Sequence, residues 1–243
     1  MLQTDTMSGP SAFRGEPGAP ASADGTDLAR RCDAWQNALP RAEIVYPARV
    51  LTSAATAKWV RNQIRDRNAR VGVRDERELA LAIAAGIRPA QVVCHGENAA
   101  PRTFWHAVGL GVGLFVVNAE RQLLTISACA PEPQSVLVDV AAAQVDGLIA
   151  AVIATERLEL SGLHCQLHNV GQVIGDVGRV IGQMVQSFRD HAMALSRLSL
   201  ALSEPVNGSP EAVRAHVEAI GGALENRCWR LGVPYPVLMV SPY

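Results

Sequence analysis

The chain has 243 residues, 49 % hydrophobic and 19 % charged, with 22 basic and 23 acidic side chains and a formal charge of −1. That mixture can bury a core, and the lack of any basic block argues against nucleic acid or an anionic membrane as a partner. No apolar run approaches the roughly 20 residues that span a bilayer, and Met1 to Asp24, rich in Gly, Pro, Ala and Ser, holds no signal-peptide core. A cytoplasmic protein is expected, with residues 1–26 a disordered leader and 27–243 one folded domain.

In chain order, Thr26 or Asp27 caps a helix through Leu28, Cys32, Trp35 and Leu39. Ile44, Val45 and Tyr46 form a short β-branched and aromatic strand limited by Pro47, which delivers Arg49 just past its end. Thr52 or Ser53 caps the next helix, with Trp59, Val60 and Ile64 inward and Arg61, Arg65 and Arg67 outward. The charge run Arg61 to Arg70 is read as a solvated helix face. A strand over 71–73, a helix from Arg74 to a Gly86 cap and a strand over 91–96 follow.

The alternation then continues. Helices are expected over 104–110, 120–128, 145–155, 175–195 and 209–231, and strands over 114–117, 135–140, 160–167, 197–202 and 237–240. Eight strands, mostly apolar throughout and separated by helices, predict an α/β fold, a (β/α)8 TIM-type barrel. No Gly-x-Gly-x-x-Gly follows an early strand, which disfavours a dinucleotide fold. Cys32, Cys94, Cys129, Cys165 and Cys228 lie far apart without C-x-x-C spacing and read as buried free thiols, and Tyr46 and the four tryptophans as packing residues.

Three stretches carry a family resemblance. They are Gly72-Val-Arg-Asp-Glu-Arg-Glu-Leu-Ala-Leu-Ala-Ile-Ala-Ala-Gly86 with Val92 to Asn98 and Gly111 to Asn118 after it, Leu160 to His168, and Ser209 to Val240. Together they resemble the pyridoxal-phosphate-dependent ornithine, diaminopimelate and arginine decarboxylases of the alanine-racemase-like barrel type, diaminopimelate decarboxylase above all. The resemblance implies pyridoxal phosphate as cofactor and, at the positions matching the family site, Arg49, His95, His164, Gln166, Ser203 and Ser241. It also implies a C-terminal β-domain, for which the chain has no matching residues.

The departures fall on the site. Arg49 stands where the resemblance expects the lysine that forms an imine with the cofactor. A guanidinium cannot form that bond, though it suits a phosphate or carboxylate. Gln166 stands where the second His of a His-x-His is expected, Ala201 to Ser203 where a triple glycine is, and Ser241 where an acidic residue is. Lys58, the only lysine, lies nine positions after Arg49 within a helix that leads away from the rim.

For Arg49, an anion clamp is weighed against an ion pair with Glu78 or Glu97; for His164 and His168, structural roles outweigh a metal site. The expectation is therefore a pseudoenzyme, or a regulatory protein that pairs with itself or with a full-length relative, able to take a small anionic ligand. The alternative is an active pyridoxal-phosphate-dependent decarboxylase or racemase with a non-standard site.

Overall fold

The structure, a computed structural model, describes residues 25–97, 99–167, 173–202 and 210–241. Nearly all of the expected leader lies outside the described residues. The eight strands are β1 (Glu43–Pro47), β2 (Arg70–Val73), β3 (Val92–His95), β4 (Leu114–Val117), β5 (Gln134–Asp139), β6 (Leu158–Leu167), β7 (Arg197–Leu202) and β8 (Val237–Ser241). They form one closed parallel barrel in chain order, with β8 pairing back onto β1. Helix α1 (Gly25–Ala38) precedes β1. The crossovers are α2 (Ala54–Arg67), α3 (Glu76–Ala84), α4 (Pro101–Leu110), α5 (Glu120–Cys129), α6 (Val145–Ile153), α7 (Val173–His191) and α8 (Pro210–Leu231).

Two hydrophobic layers result from the two-residue period of a strand. Ile44 and Tyr46 of β1 face the helices, where Tyr46 meets Trp59 of α2 edge to face at 5.3 Å. Val45 points the other way and packs inside the barrel with Val93, Leu114, Val116, Leu137 and Met239. Local signals set the helix ends. The Ser53 hydroxyl accepts the Thr56 N–H at 3.1 Å and starts α2. The Asp75 carboxylate accepts the Glu78 N–H at 2.8 Å, so α3 begins at Glu76, two residues later than the pattern of apolar residues suggested. It ends where Gly86 takes a φ of 78°.

Below the apolar layer the same inward alternation places charge. Glu43, at 7 % exposure, accepts from Arg70 Nε at 2.9 Å, Arg197 Nη1 at 2.9 Å and Asn68 Nδ2 at 3.1 Å. One carboxylate thus ties β1 to β2 and β7 at the N-terminal end of the barrel. Arg70, read from sequence as the end of a solvated run, belongs to this network. Arg67 at the end of α2 also has partners, Asp33 and Gln36 of α1. Two tryptophans depart from the packing reading as well. Trp105 is 60 % exposed and Trp229 83 %, because they fall on the solvent sides of α4 and α8, away from Phe104 and Cys228 respectively.

Strand β6 carries the one irregularity in the β5–β6 ladder. Val136 pairs with Leu160 and Leu137 with Gly162, so Ser161 is an extra residue. At Gly162 the β7 backbone comes so close that a Cβ would run into the Arg197 carbonyl. Gly162→Ala should therefore lower stability by about 3 kcal/mol, the upper end for overpacking a tight site. Urea unfolding measures this, and an unchanged midpoint would mean that β6 and β7 do not approach so closely.

Candidate functional site

The C-terminal ends of the strands surround a cavity whose empty volume, its open mouth included, is about 560 Å³. Barrel enzymes keep their chemistry at this end. Inward alternation again decides the lining. Counting by two from Val45 reaches Pro47 and then, in a short 3₁₀ turn over Ala48–Thr52, Arg49. From β2 come Gly72 and Arg74, from β3 His95 and Glu97, from β6 His164 and Gln166, from β7 Ala201 and Leu202, and from β8 Ser241.

Five of the six residues matched to the family site thus share one cavity: Arg49, His95, His164, Gln166 and Ser241. Ser203 lies outside the described residues, as does His168. Arg74 and Glu97 also line it and were not singled out as site residues. Their signal was present, since each lies just past a strand, as Arg49 does.

The floor is a pair of imidazoles. His164 is 5 % exposed, and its Nδ1 lies 2.9 Å from Ser199 Oγ on the paired strand, where His164 and Ser199 are register partners. Its ring meets that of His95 at 5.4 Å between centroids and 72° between planes. Gly72 makes room for this pair, since a Cβ there would sit 3.2 Å from His95 Nε2. Burial holds His164 neutral, lowering its pKa to about 4. Burial, the neighbouring His164 and the Arg74 charge hold His95 neutral, lowering its pKa to about 3. Both rings therefore offer one donor and one acceptor at neutral pH.

The rim combines charge with fixed loops. The Glu78 carboxylate accepts the Arg74 backbone N–H at 2.8 Å but stays 3.7 Å from its guanidinium, beyond hydrogen-bond distance. Gln122 of α5, 4 % exposed, donates to the Gly96 carbonyl and Asn118 Oδ1 and accepts the Asn118 N–H, each at 2.8 or 2.9 Å, which locks the loops after β3 and β4 together. A smaller recess continues from the two imidazoles toward Asn118 and Asp139. Cys165 points away into the core at 2 % exposure, as its alternation with His164 requires. Among the described residues, no group of three or more His, Cys, Asp or Glu side chains is placed to hold a metal ion, and no helix is long and apolar enough to cross a membrane.

A closed parallel (β/α)8 barrel with a polar cavity at the C-terminal rim defines a large class of ligand-binding and catalytic domains. Comparison with known proteins narrows it. The family described as pyridoxal-dependent decarboxylase, pyridoxal binding domain, matches residues 26–167, and the chain belongs to that family. It is 26 % identical to the diaminopimelate decarboxylase of Actinosynnema pretiosum subsp. auranticum, over 87 % of this chain and 54 % of that one. The corresponding figures for the Mycobacterium leprae diaminopimelate decarboxylase are 26 %, 94 % and 56 %. The chain spans about half the length of these curated relatives. The diaminopimelate decarboxylase from M. jannaschii shares the fold with a TM-score of 0.73 at 13 % identity, over 89 % of this chain and 58 % of that one.

The family's cofactor is pyridoxal phosphate, for which the resemblance implies an imine to a lysine on the strand that leads to Arg49. No amine stands among the residues that line the cavity. Lys58, the only lysine in the sequence, is exposed on α2, outside the barrel wall. The Ser241 hydroxyl, matched to the acidic residue, is buried without a hydrogen-bond partner and carries no charge to set against a ring nitrogen.

Proposed function

We propose that this chain is a decarboxylase-type barrel that has given up covalent cofactor chemistry and serves as a pseudoenzyme, acting as a regulatory or interaction protein. One observation carries the reading: a guanidinium, Arg49, lines the cavity in place of the amine that imine formation needs, and the only lysine is exposed on an outer helix. Arginine keeps the positive charge but not the nucleophilic nitrogen. The neutral imidazoles and Gln166 keep the cavity polar, so it remains a binding site.

Pyridoxal phosphate added to the protein should give no imine absorbance above that of free cofactor. After borohydride treatment the mass should be unchanged. A borohydride-stable phosphopyridoxyl group on Lys58 would overturn the proposal. Arg49→Lys is the complementary test. The strand aims residue 49 at the cavity, so the variant should acquire an imine band and one reducible adduct on the new amine. It should not decarboxylate amino acids, because Ser241 supplies no carboxylate to a ring nitrogen. Turnover of diaminopimelate, ornithine or arginine by this single variant would show that Arg49 alone keeps the site silent.

The same reading includes assembly with a second copy or with a relative that carries both halves of the decarboxylase chain. Trp105 of α4 and Leu124 of the neighbouring α5, 60 % and 64 % exposed, are apolar side chains that such an interface would cover. Light scattering at micromolar concentration, followed by co-purification with such a relative, tests it. A monomer that captures no relative would remove the interaction role.

A further inference from the structure

We infer that Arg49 and Arg74 form a non-covalent site for a small oxyanion, phosphate or carboxylate, on the β1–β2 side of the barrel mouth. The inference rests on the reading of this cavity as one that holds no cofactor through an imine, and it names what the cavity takes instead. It also differs in place from the segment matched to the family's phosphate loop, which begins in the last two residues of β7, Ala201 and Leu202.

The placement follows from the register. Pro47 and Gly72 are paired across β1 and β2, and each arginine lies two residues past its member of that pair. Arg49, in the 3₁₀ turn after β1, and Arg74, the residue after β2, line the same cavity. Glu97, on the β3 side, is the carboxylate among the residues that line the cavity, and Glu78 lies behind Arg74. Glu78 stays 3.7 Å from the Arg74 guanidinium and spends a carboxylate oxygen on the Arg74 backbone N–H instead. The Arg74 fork therefore keeps donors for a ligand.

Arg74, His95 and His164 line the same cavity. Both imidazoles stay neutral, so His95 adds a hydrogen bond to an oxyanion without adding charge that would compete with the arginines. Gly72, two residues before Arg74 on β2, gives His95 its place in the lining, since a Cβ there would sit 3.2 Å from the ring. Guanidinium forks bind planar carboxylates and phosphates through paired N–H donors, and a partly enclosed site strengthens such bonds.

The test uses inorganic phosphate and malonate as separate probes of the two anion types, with ionic strength held constant by chloride. Titration calorimetry and thermal unfolding are followed on the unmodified chain, Arg49→Ala, Arg74→Ala and Arg65→Ala, the last an exposed arginine of α2 paired with Asp66. At a hundredfold excess over its Kd, the better anion should raise the unfolding midpoint by about 5–10 °C. Each cavity variant should weaken binding by roughly tenfold or more, the loss expected for a charge-assisted hydrogen bond, while Arg65→Ala should bind normally. The charge-keeping Arg49→Lys and Arg74→Lys guard against misfolded alanine variants. They should also lose affinity, because an ammonium has no fork.

Binding of neither anion overturns the inference, and so does a stabilisation that survives unchanged in both alanine variants, which is a general salt effect. Neither probe carries an aldehyde. Failure here therefore leaves the proposal about the missing imine standing, and imine formation with pyridoxal phosphate would sink that proposal without touching this result.

Discussion

Replacing Glu43 with alanine should destabilise the barrel by about 3–5 kcal/mol, the usual cost of removing one member of a buried ionic network. Glu43 is the only carboxylate bonded to both Arg70 and Arg197 among the described contacts, and each of those side chains is less than a quarter exposed. Its removal leaves two guanidinium groups at the N-terminal end of the barrel without their shared carboxylate, with Arg197 still against the Met239 sulfur. The uncompensated charge, more than the lost hydrogen bonds, sets the size of the effect. The network also closes the barrel, since Glu43 on β1 reaches β2 on one side and β7 on the other, past β8. Glu43→Gln keeps the shape but neither charge nor full acceptor capacity, so it should lose somewhat less. The midpoint of urea unfolding, with the slope checked for two-state behaviour, measures both. A loss below about 1 kcal/mol for the alanine variant would place the floor among ordinary surface pairs.

That floor was not legible in the sequence, and the reason is distance along the chain. Glu43 and Arg197 are separated by 154 residues, and no local pattern links them. Arg70 was grouped with its neighbours in sequence, the solvated arginines of α2, because a strand of four residues starting at a charged side chain has little periodicity to show. By contrast, the eight strands were readable because most are continuous apolar runs, and a strand covered by helices on one side and a filled barrel on the other needs nothing else. The helices were readable from caps and apolar spacing. Even α7, with its three glycines, follows its apolar stripe from Val177 to Met184 into the core.

The cavity was half legible for the same reason. Family resemblance picked Arg49, His95, His164, Gln166 and Ser241 by position, and strand alternation brings them together. Arg74 and Glu97 lie inside stretches that carry the resemblance, but it gives them no site role, so their position just past a strand is the signal that marks them. Ser199 was invisible for a different reason. A serine in an apolar strand looks like filler until its neighbour across the ladder proves to be a histidine.

Acidification should unfold this protein early, and the two floor imidazoles should account for much of the effect. Above about pH 6.5 His95 and His164 are neutral in both folded and unfolded chains, and they add no pH dependence. Below it the unfolded chain takes up a proton at each, while the folded chain does not until its lowered values, about 3 for His95 and about 4 for His164, are reached. The unfolded state then binds more protons, so stability falls as pH falls across that window. Between about pH 7 and pH 5 the loss is on the order of 2 kcal/mol for His164, and less for His95, whose edge is open to the cavity. His216, also held below its ordinary value by burial, adds in the same direction. The check is His164→Asn combined with His95→Gln, compared with the unmodified chain by urea unfolding at both pH values. The amide at position 164 can still bond Ser199 and cannot titrate. The double variant should therefore start less stable at pH 7 yet lose less on acidification. Equal losses in the two proteins would mean that the imidazoles are solvated and charge freely, and that the cavity floor is wetter than its packing indicates.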